Sequence, residues 1–456
     1  MAQLLVTLSV VLAVVYLAVV AGATIVSALR AGGRREETSE SHDALSVSRF
    51  TIPVSIIVPV SKDTALLSQA ISSLLALSYP EFEVIVVADG ASPAMLDALA
   101  RDWQLESREF FYRRTIETSP VRRIYRSGTD TRLMVIDKTP SGYSDALNCG
   151  VNVSRYRYFM SVAPEVMFDS DALLRVMAAA LRDPANVVGA SNHVERGAGA
   201  DSPFASLVDE RAIVKDEPIG VVARVGALFQ QLASARSLMD SRLAWRHLGA
   251  GLGPSGAVVV WRRDAVIKLK GFSSTAADAD LDMMFRLQTT GAEGGGRFDR
   301  GVDVFGRVGS QPLLGALRMA GRRQLAALQI LGVCLRGGAR TLEPKTLAYF
   351  IASELVTPLA QAWIVLAMVI GLGNGWFTWS AAALVLVLLS FGNAAVTTAA
   401  LLLRGATPGA PDEPELRRLL VAGPLEFVVY RPVLALARIA AAMSFLTSDL
   451  GNSRRT

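Results

Sequence analysis

PVSIIVPV (Pro53–Val60) and EVIVVADG (Glu83–Gly90) are the two stretches that decide the fold. Each is a continuous run rich in Val and Ile with no polar alternation, as expected of a strand buried on both faces. Between them, Leu66, Leu67, Ala70, Ile71, Leu74 and Leu75 recur at helical spacing, which predicts a helix over 64–77. A strand, a helix and a second strand within about 35 residues form a βαβ unit with parallel strands. Further strands are predicted at 133–137 (LMVID) and 157–163 (RYFMSVA). Open parallel sheets bind ligands beyond the carboxyl ends of their strands. Two such ends carry acidic or turn residues here, Ser61–Asp63 and Asp89–Ser92.

The flanks of this α/β region are apolar. Residues 3–29 carry no charge, long enough for a helix to span about 30 Å of hydrocarbon. Arg30, Arg34 and Arg35 follow the run instead of preceding it, so it reads as an uncleaved anchor with the N-terminus outside and the chain from Arg30 inside. Residues 347–403 hold one charge, Glu354, and Asn374–Gly375 divides them into two predicted spans, about 347–371 and 376–403. The apolar stretch 424–446 contains Glu426, Arg431 and Arg438. It is either a third span with internally paired charges or, the reading preferred from sequence, a helix on the inner membrane surface.

The resulting layout is an anchor (1–30), a linker (31–47), an α/β domain (48–310), interfacial helices (311–345), two transmembrane helices (346–404) and a cytoplasmic loop with a last interfacial or transmembrane helix (405–456). The 456 residues are 51% hydrophobic and 19% charged, which excludes a disordered chain. Two cysteines, Cys149 and Cys334, exclude a disulfide scaffold, and no Cys/His cluster has zinc spacing. A net charge of +5 without a long Lys/Arg run fits a membrane protein better than a nucleic-acid binder.

VSIIVPVSKD (54–63), EVIVVADGAS (83–92), SGYSDALNCGV (141–151), PSGAVVVWRRDAVIKLKGF (254–272) and ADLDMMFRLQTTG (279–291) stand in a telling order. In that order and spacing the chain resembles the membrane-embedded family 2 glycosyltransferases, which include the synthases of cellulose, hyaluronan and poly-N-acetylglucosamine. The resemblance implies a nucleotide-diphosphosugar-binding, Rossmann-like GT-A domain in the cytoplasm, with transmembrane helices at both ends, in a multi-pass protein of the plasma (inner) membrane. It also implies a nucleotide-diphosphate sugar donor, a glycan or lipid-linked acceptor, membrane lipid around the helices, and partner synthase or export subunits.

The resemblance carries over residue by residue. Asp89 matches the second Asp of the family's DDGS segment and would accept from uracil or ribose; Ala88 stands at the first Asp. The alternative for Asp89 is an Asp-Gly turn. Asp145 begins the DALN segment near the diphosphate, with Tyr143 where the family usually has Lys; the alternative is a helix start capped by Ser141 or Ser144. Val162–Ala163–Pro164 falls on the metal motif without either carboxylate. Glu165 is then the nearest acid for a divalent magnesium or manganese ion. The literal Asp-x-Asp at Asp169–Ser170–Asp171 reads as a helix start.

Asp280 matches the general base, with Ala279 in place of the preceding Glu; the alternative is an acidic helix start. Arg322 and Arg323 fall on the Gln-Arg-x-Arg-Trp motif, whose cations face the diphosphate, and its Trp is missing. The alternative there is an interfacial helix meeting lipid phosphate. The resemblance implies one of two functions: a transferase that moves a sugar from a nucleotide-diphosphate donor in synthesis of a cell-surface or exported polysaccharide, or a catalytically impaired pseudo-glycosyltransferase acting as partner or regulator of an active synthase.

Overall fold

A computed structural model describes residues 51–61, 67–181, 187–196, 225–236, 258–289, 297–308, 312–336, 342, 344–376, 378–404 and 413–453. The anchor, the linker, and Lys62–Asp63, 254–257 and 290–291 of the motif segments lie outside them.

The two deciding stretches are strands β1 (Val54–Val60) and β2 (Phe82–Asp89), parallel and in continuous register, with every residue of both buried. Helix α1 (Leu67–Leu75) connects them and buries Leu67, Ala70, Ile71, Leu74 and Leu75. Strands β3 (Leu105–Ser107), β4 (Val121–Ser127), β5 (Leu133–Lys138), β6 (Tyr158–Val162), β7 (Val166–Phe168), β8 (Val187–Arg196), β9 (Val258–Arg262) and β10 (Arg297–Val308) complete a mixed sheet in the order β3-β4-β5-β2-β1-β6-β9-β8-β10-β7, with helix α2 (Pro93–Trp103) following β2 and α6 (Arg263–Lys268) following β9. Its centre, β5-β2-β1-β6, is parallel, so the carboxyl ends of these four strands share one edge.

Alternate residues of β1 feed two cores. Ile56, Val58 and Val60 pack on one face, beneath α1 and helix α4 (Ala172–Leu181). Ile57 packs on the other, beneath helices α3 (Tyr143–Val153) and α7 (Ala279–Thr289). Helix α3 crosses β1 so closely that a Cβ on Gly150 would strike the Ile57 side chain. Two buried amides one turn apart on α3 pin loops to it. Asn148 exchanges hydrogen bonds with the backbone of Phe272 (2.7 and 2.9 Å), and Asn152 holds the backbone of Ile116.

Helix α8 (Leu313–Leu335) adds Ala326, Ala327 and Ile330 to the second core. Its Gln329 accepts from Ala277 N at 3.0 Å and donates to Thr275 O, which fixes the loop entering α7. Helix α9 (Pro344–Ile351) runs through a wide π-turn (Ala352–Val356) into α10 (Thr357–Gly373). Gly375, with φ of 69°, turns the chain into α11 (Trp379–Arg404), so the division at Asn374–Gly375 is where the sequence places it. Helix α12 (Glu413–Leu425) passes through a second wide turn (Glu426–Tyr430) into α13 (Arg431–Ser453).

Among the described residues, two helical stretches are long and apolar enough to cross a membrane, Glu354–Gly373 and Glu413–Phe445. Within the second, Glu413, Arg417 and Arg418 near its start are exposed, whereas the charges at 426 and 431 are enclosed. Glu426 is 1% exposed and bridges Arg236 (3.1 Å) and Arg431 (3.2 Å), and both guanidinium groups also donate to the buried Asn393. Arg236 comes from α5, over 225–236, which also stacks Phe229 on Tyr430 with ring centroids 5.5 Å apart. Pairing of this kind offsets part of the cost that argued from sequence against burying Glu426 and Arg431.

Candidate active site

The carboxyl edge of the parallel strands holds a buried ionic cluster that the sequence reading does not anticipate. Strand β5 extends one residue past the predicted 133–137, to Lys138, which stands directly opposite Asp89 in register. Lys138 is fully buried, and its Nζ lies 2.6 Å from Asp89 Oδ1 and 2.6 Å from Asp145 Oδ2. Burial works against the charged ammonium, but hydrogen bonds to Asp145 and Asp89 more than offset it, and the pKa of Lys138 sits above the ordinary lysine value. The signal available in the sequence is a lysine at a strand's carboxyl end, seven residues before Asp145.

Asp89 is 4% exposed and its acceptor positions are engaged. Oδ1 also accepts from Ser141 N (2.9 Å) and Oδ2 from Gly142 N (2.7 Å). Asp145 accepts from Ser119 N (3.1 Å) and Ser141 Oγ (2.6 Å). Burial raises the Asp145 carboxyl, and Lys138 and Ser141 outweigh it, so its pKa is lowered. Neither Ser141 nor Ser144 caps α3. Gly142 precedes the helix with φ of 101° and no side-chain cap, because the Ser141 hydroxyl is spent on Lys138 and Asp145. The Asp-Gly turn at Gly90 (φ 77°) is also present, with Pro140 so close that a Cβ on Gly90 would lie 2.6 Å from it.

Across the sheet edge, α7 presents three acids with three fates. Asp278 accepts from Leu281 N at 3.0 Å and caps the helix. Asp282 is bridged to Arg286 at 2.7 Å, one turn on. Asp280, two residues from each, is engaged in neither interaction and lies near Tyr143 at the start of α3. Asp280 Oδ1 is sealed from solvent and has no hydrogen-bond partner among the described residues. Burial, then the neighbouring Asp278 charge, raises the Asp280 pKa to about 8, against the lowering effect of the Tyr143 hydrogen bond.

The two arginines of α8 separate. Arg323 makes a bidentate pair with Glu354, 2.6 and 3.0 Å, so the single acid of the apolar 347–403 stretch neutralises it. Arg322 is exposed.

Glu165 is exposed in the turn between β6 and β7. The described residues contain no group of three His, Cys, Asp or Glu able to hold a metal. Asp169 and Asp171 both pair with Arg175 on α4, consistent with a helix start. With one exposed carboxylate beside Val162, Ala163 and Pro164, the protein side supplies a single oxygen, and donor phosphate and water would have to fill the rest of a magnesium or manganese shell. Nucleoside diphosphate affinity is therefore expected to change less than threefold on chelation or on Glu165→Gln. Calorimetry with uridine and guanosine diphosphates, with and without manganese, checks this; binding that vanishes on chelation would show another ligand set.

The sheet, its parallel centre and its acid-lined carboxyl edge define a GT-A-like glycosyltransferase fold. Residues 55–219 match the model of Glycosyl transferase family 2. Over 92% of this chain and 98% of the other, the structure is similar to a mannosyltransferase from Pyrobaculum calidifontis solved with GDP-mannose and Mn2+, at 16% identity and a TM-score of 0.50. Staphylococcus aureus TarS, solved as residues 1–349 and also with UDP-GlcNAc, matches over 86% of this chain and 92% of its own at 13–14% identity, with TM-scores of 0.36 and 0.37. No curated protein matches by sequence.

Proposed function

We propose that the protein is a membrane-bound glycosyltransferase that moves a sugar from a nucleotide-diphosphate donor to a glycan or lipid-linked acceptor, with Asp280 as general base. The observation that carries this reading is the Asp280 carboxylate itself. Its flanking acids are committed to a cap and an ion pair, while its own Oδ1 is buried and unpartnered. A buried acceptor without a donor calls for a functional explanation. A pKa near 8 suits a group that must take a proton at neutral pH.

In the step proposed, Asp280 removes the acceptor hydroxyl proton as the acceptor oxygen attacks the anomeric carbon. The bond from that carbon to the donor phosphate breaks, and the nucleoside diphosphate leaves with the electron pair, giving inversion. Arg322, exposed on α8, is the cation available to the leaving diphosphate; Arg323 orients α8 through Glu354. Asp89 and Asp145 act through the loop 139–142 that they and Lys138 hold, shaping the donor side instead of presenting free carboxylates.

Membrane embedding is supported by large apolar side chains left open on the C-terminal helices, among them Val369, Trp379, Phe391, Val421 and Leu436. Neutralisation of Asp89 and Asp145 by Lys138 favours the second reading, a pseudo-glycosyltransferase partner. Incubating the purified protein with nucleotide sugars and native membrane lipid, and following nucleoside diphosphate release, separates the two. Release that depends on Asp280 supports the enzyme, and donor binding without release supports the partner.

A further inference from the structure

We propose that Gln329 is the positioning residue for Asp280, and that through it the seating of α8 against the C-terminal helices sets the base. This rests on the reading of Asp280 as base. Asp280 stands in the first turn of α7, so its place depends on how the chain enters that helix. A single side chain of α8 holds the entry. Gln329 Oε1 accepts from Ala277 N at 3.0 Å, and Gln329 Nε2 donates to Thr275 O at 3.3 Å. An amide suits this task because it answers an N–H and a C=O of the same loop at once. Asp278, the next residue, then caps the helix through Leu281 N. Helix α8 is itself fixed from the other side. Arg323, six residues before Gln329, makes its bidentate pair with Glu354, where the apolar stretch Glu354–Gly373 begins. Gly321 lies against α13, where an added Cβ would meet Ala441 Cβ at 3.4 Å.

Beside this link α7 and α8 part around a hollow of about 50 Å³, lined by Asp278, Asp282, Phe285, Ile330 and Val333 together with Gln329. Side-chain packing does not close the two helices at this level, and the two Gln329 hydrogen bonds span the gap. Without them the first turn of α7 is free to shift toward the hollow and to admit water beside Asp280, whose Oδ1 is sealed in the intact protein. Water lowers the cost of the Asp280 charge, so its pKa falls from about 8 toward the ordinary carboxylate range, while the shift spoils its alignment with the acceptor hydroxyl. Among the described residues, the titratable groups facing Asp280 are Asp278, from its own helix start, and Tyr143, from α3; Asp282 is taken by Arg286. Gln329 carries no charge, so its removal acts on Asp280 through position and water alone.

Full-length wild type, Gln329→Met, Gln329→Glu and Glu354→Gln, in lipid nanodiscs, are compared for sugar transfer between roughly pH 5 and 10. Uridine and guanosine diphosphate sugars serve as donors and native membrane lipid as acceptor. Gln329→Met keeps the side-chain length and removes both hydrogen bonds. It is expected to lower kcat by about 10- to 100-fold with donor KM within about threefold, and to move the acid limb of the pH–rate profile down by about half to one pH unit. Gln329→Glu still accepts from Ala277 N and is expected to keep kcat within about threefold, with a limb no lower than that of wild type. Glu354→Gln removes the charge partner of Arg323 and is expected to move the limb in the same direction as Gln329→Met. An unmoved limb in Gln329→Met, or an equal downward shift in Gln329→Glu, overturns the positioning role. An unmoved limb in Glu354→Gln overturns the link to the C-terminal helices. Hydrogen exchange of the wild type decides the case where Gln329→Met does not fold. The Ala277 amide is expected to exchange about 100-fold or more slowly than a free amide, and unprotected exchange overturns the proposal. Asp280→Asn run alongside keeps the two levels apart. Transfer lost there with an unmoved limb in Gln329→Met rejects only the role of Gln329, whereas transfer retained in Asp280→Asn rejects the base.

Discussion

Asp280→Asn is expected to lower transfer by about 10²–10⁴-fold, the usual contribution of a positioned general base, and to make the protein more heat-resistant at alkaline pH. The two effects share one cause. Folding raises the Asp280 pKa from an ordinary carboxylate value to about 8. Between pH 4 and 8 the folded state therefore holds a proton that the unfolded state has released, and stability falls as pH rises across that window. Above 8 the folded protein carries the buried charge and its full cost. An amide carries none, so the melting temperature of Asp280→Asn should match wild type near pH 4, exceed it increasingly up to pH 8, and hold that margin beyond. Thermal unfolding at pH 5, 7 and 9 checks this; equal melting temperatures at pH 9 would mean that the carboxylate is not desolvated. Asp282→Asn breaks a one-turn ion pair with Arg286 and is expected to leave transfer within a few-fold of wild type.

Lys138→Met is expected to destabilise the folded state by about 3–5 kcal/mol, as removing one partner of a buried ionic group does. Without the ammonium, Asp89 and Asp145 share an enclosed site with no counter-charge. The loss should be smaller in acid, where the stranded carboxylates can protonate. In the wild type the sign at Asp145 is the opposite of that at Asp280. Its lowered pKa contributes stability that is present above the unfolded carboxylate value and disappears as pH falls through the folded one. Neutralising the acids together with the lysine (Lys138→Met, Asp89→Asn, Asp145→Asn) should recover part of the loss. A single Lys138→Met as stable as wild type at pH 7 would show that the cluster does not hold the sheet edge.

The parts of this fold that were legible in the sequence rest on local regularities. β1 and β2 announce themselves because parallel strands bury both faces and so read as unbroken Val/Ile runs. The turn at Gly375 announces itself because glycine takes up a positive φ without steric cost, a common way to end a helix. Asp282 could be set aside from sequence because two helical positions turn a side chain to the other flank. The parts that were not legible depend on long-range meetings. Nothing near Lys138 in the sequence states that it will face Asp89, 49 residues earlier, and nothing near Arg323 points to Glu354, 31 residues on. Arg236 and Glu426 are 190 residues apart, so the charges of 424–446 looked too costly to bury until the cation from α5 was in place. Tyr143 was legible only as a lysine that is missing; that it lies near Asp280 depends on how α3 and α7 sit over one face of the sheet.

The pH dependence of sugar transfer by the wild-type protein, measured at saturating donor and acceptor, bears most directly on Asp280 as the base. The account predicts a rate that climbs tenfold per pH unit in acid and levels off above about pH 8, where the Asp280 carboxylate is ionised. A rate that is flat from pH 5 to 9, or an Asp280→Asn protein that transfers sugar at the wild-type rate, would contradict it.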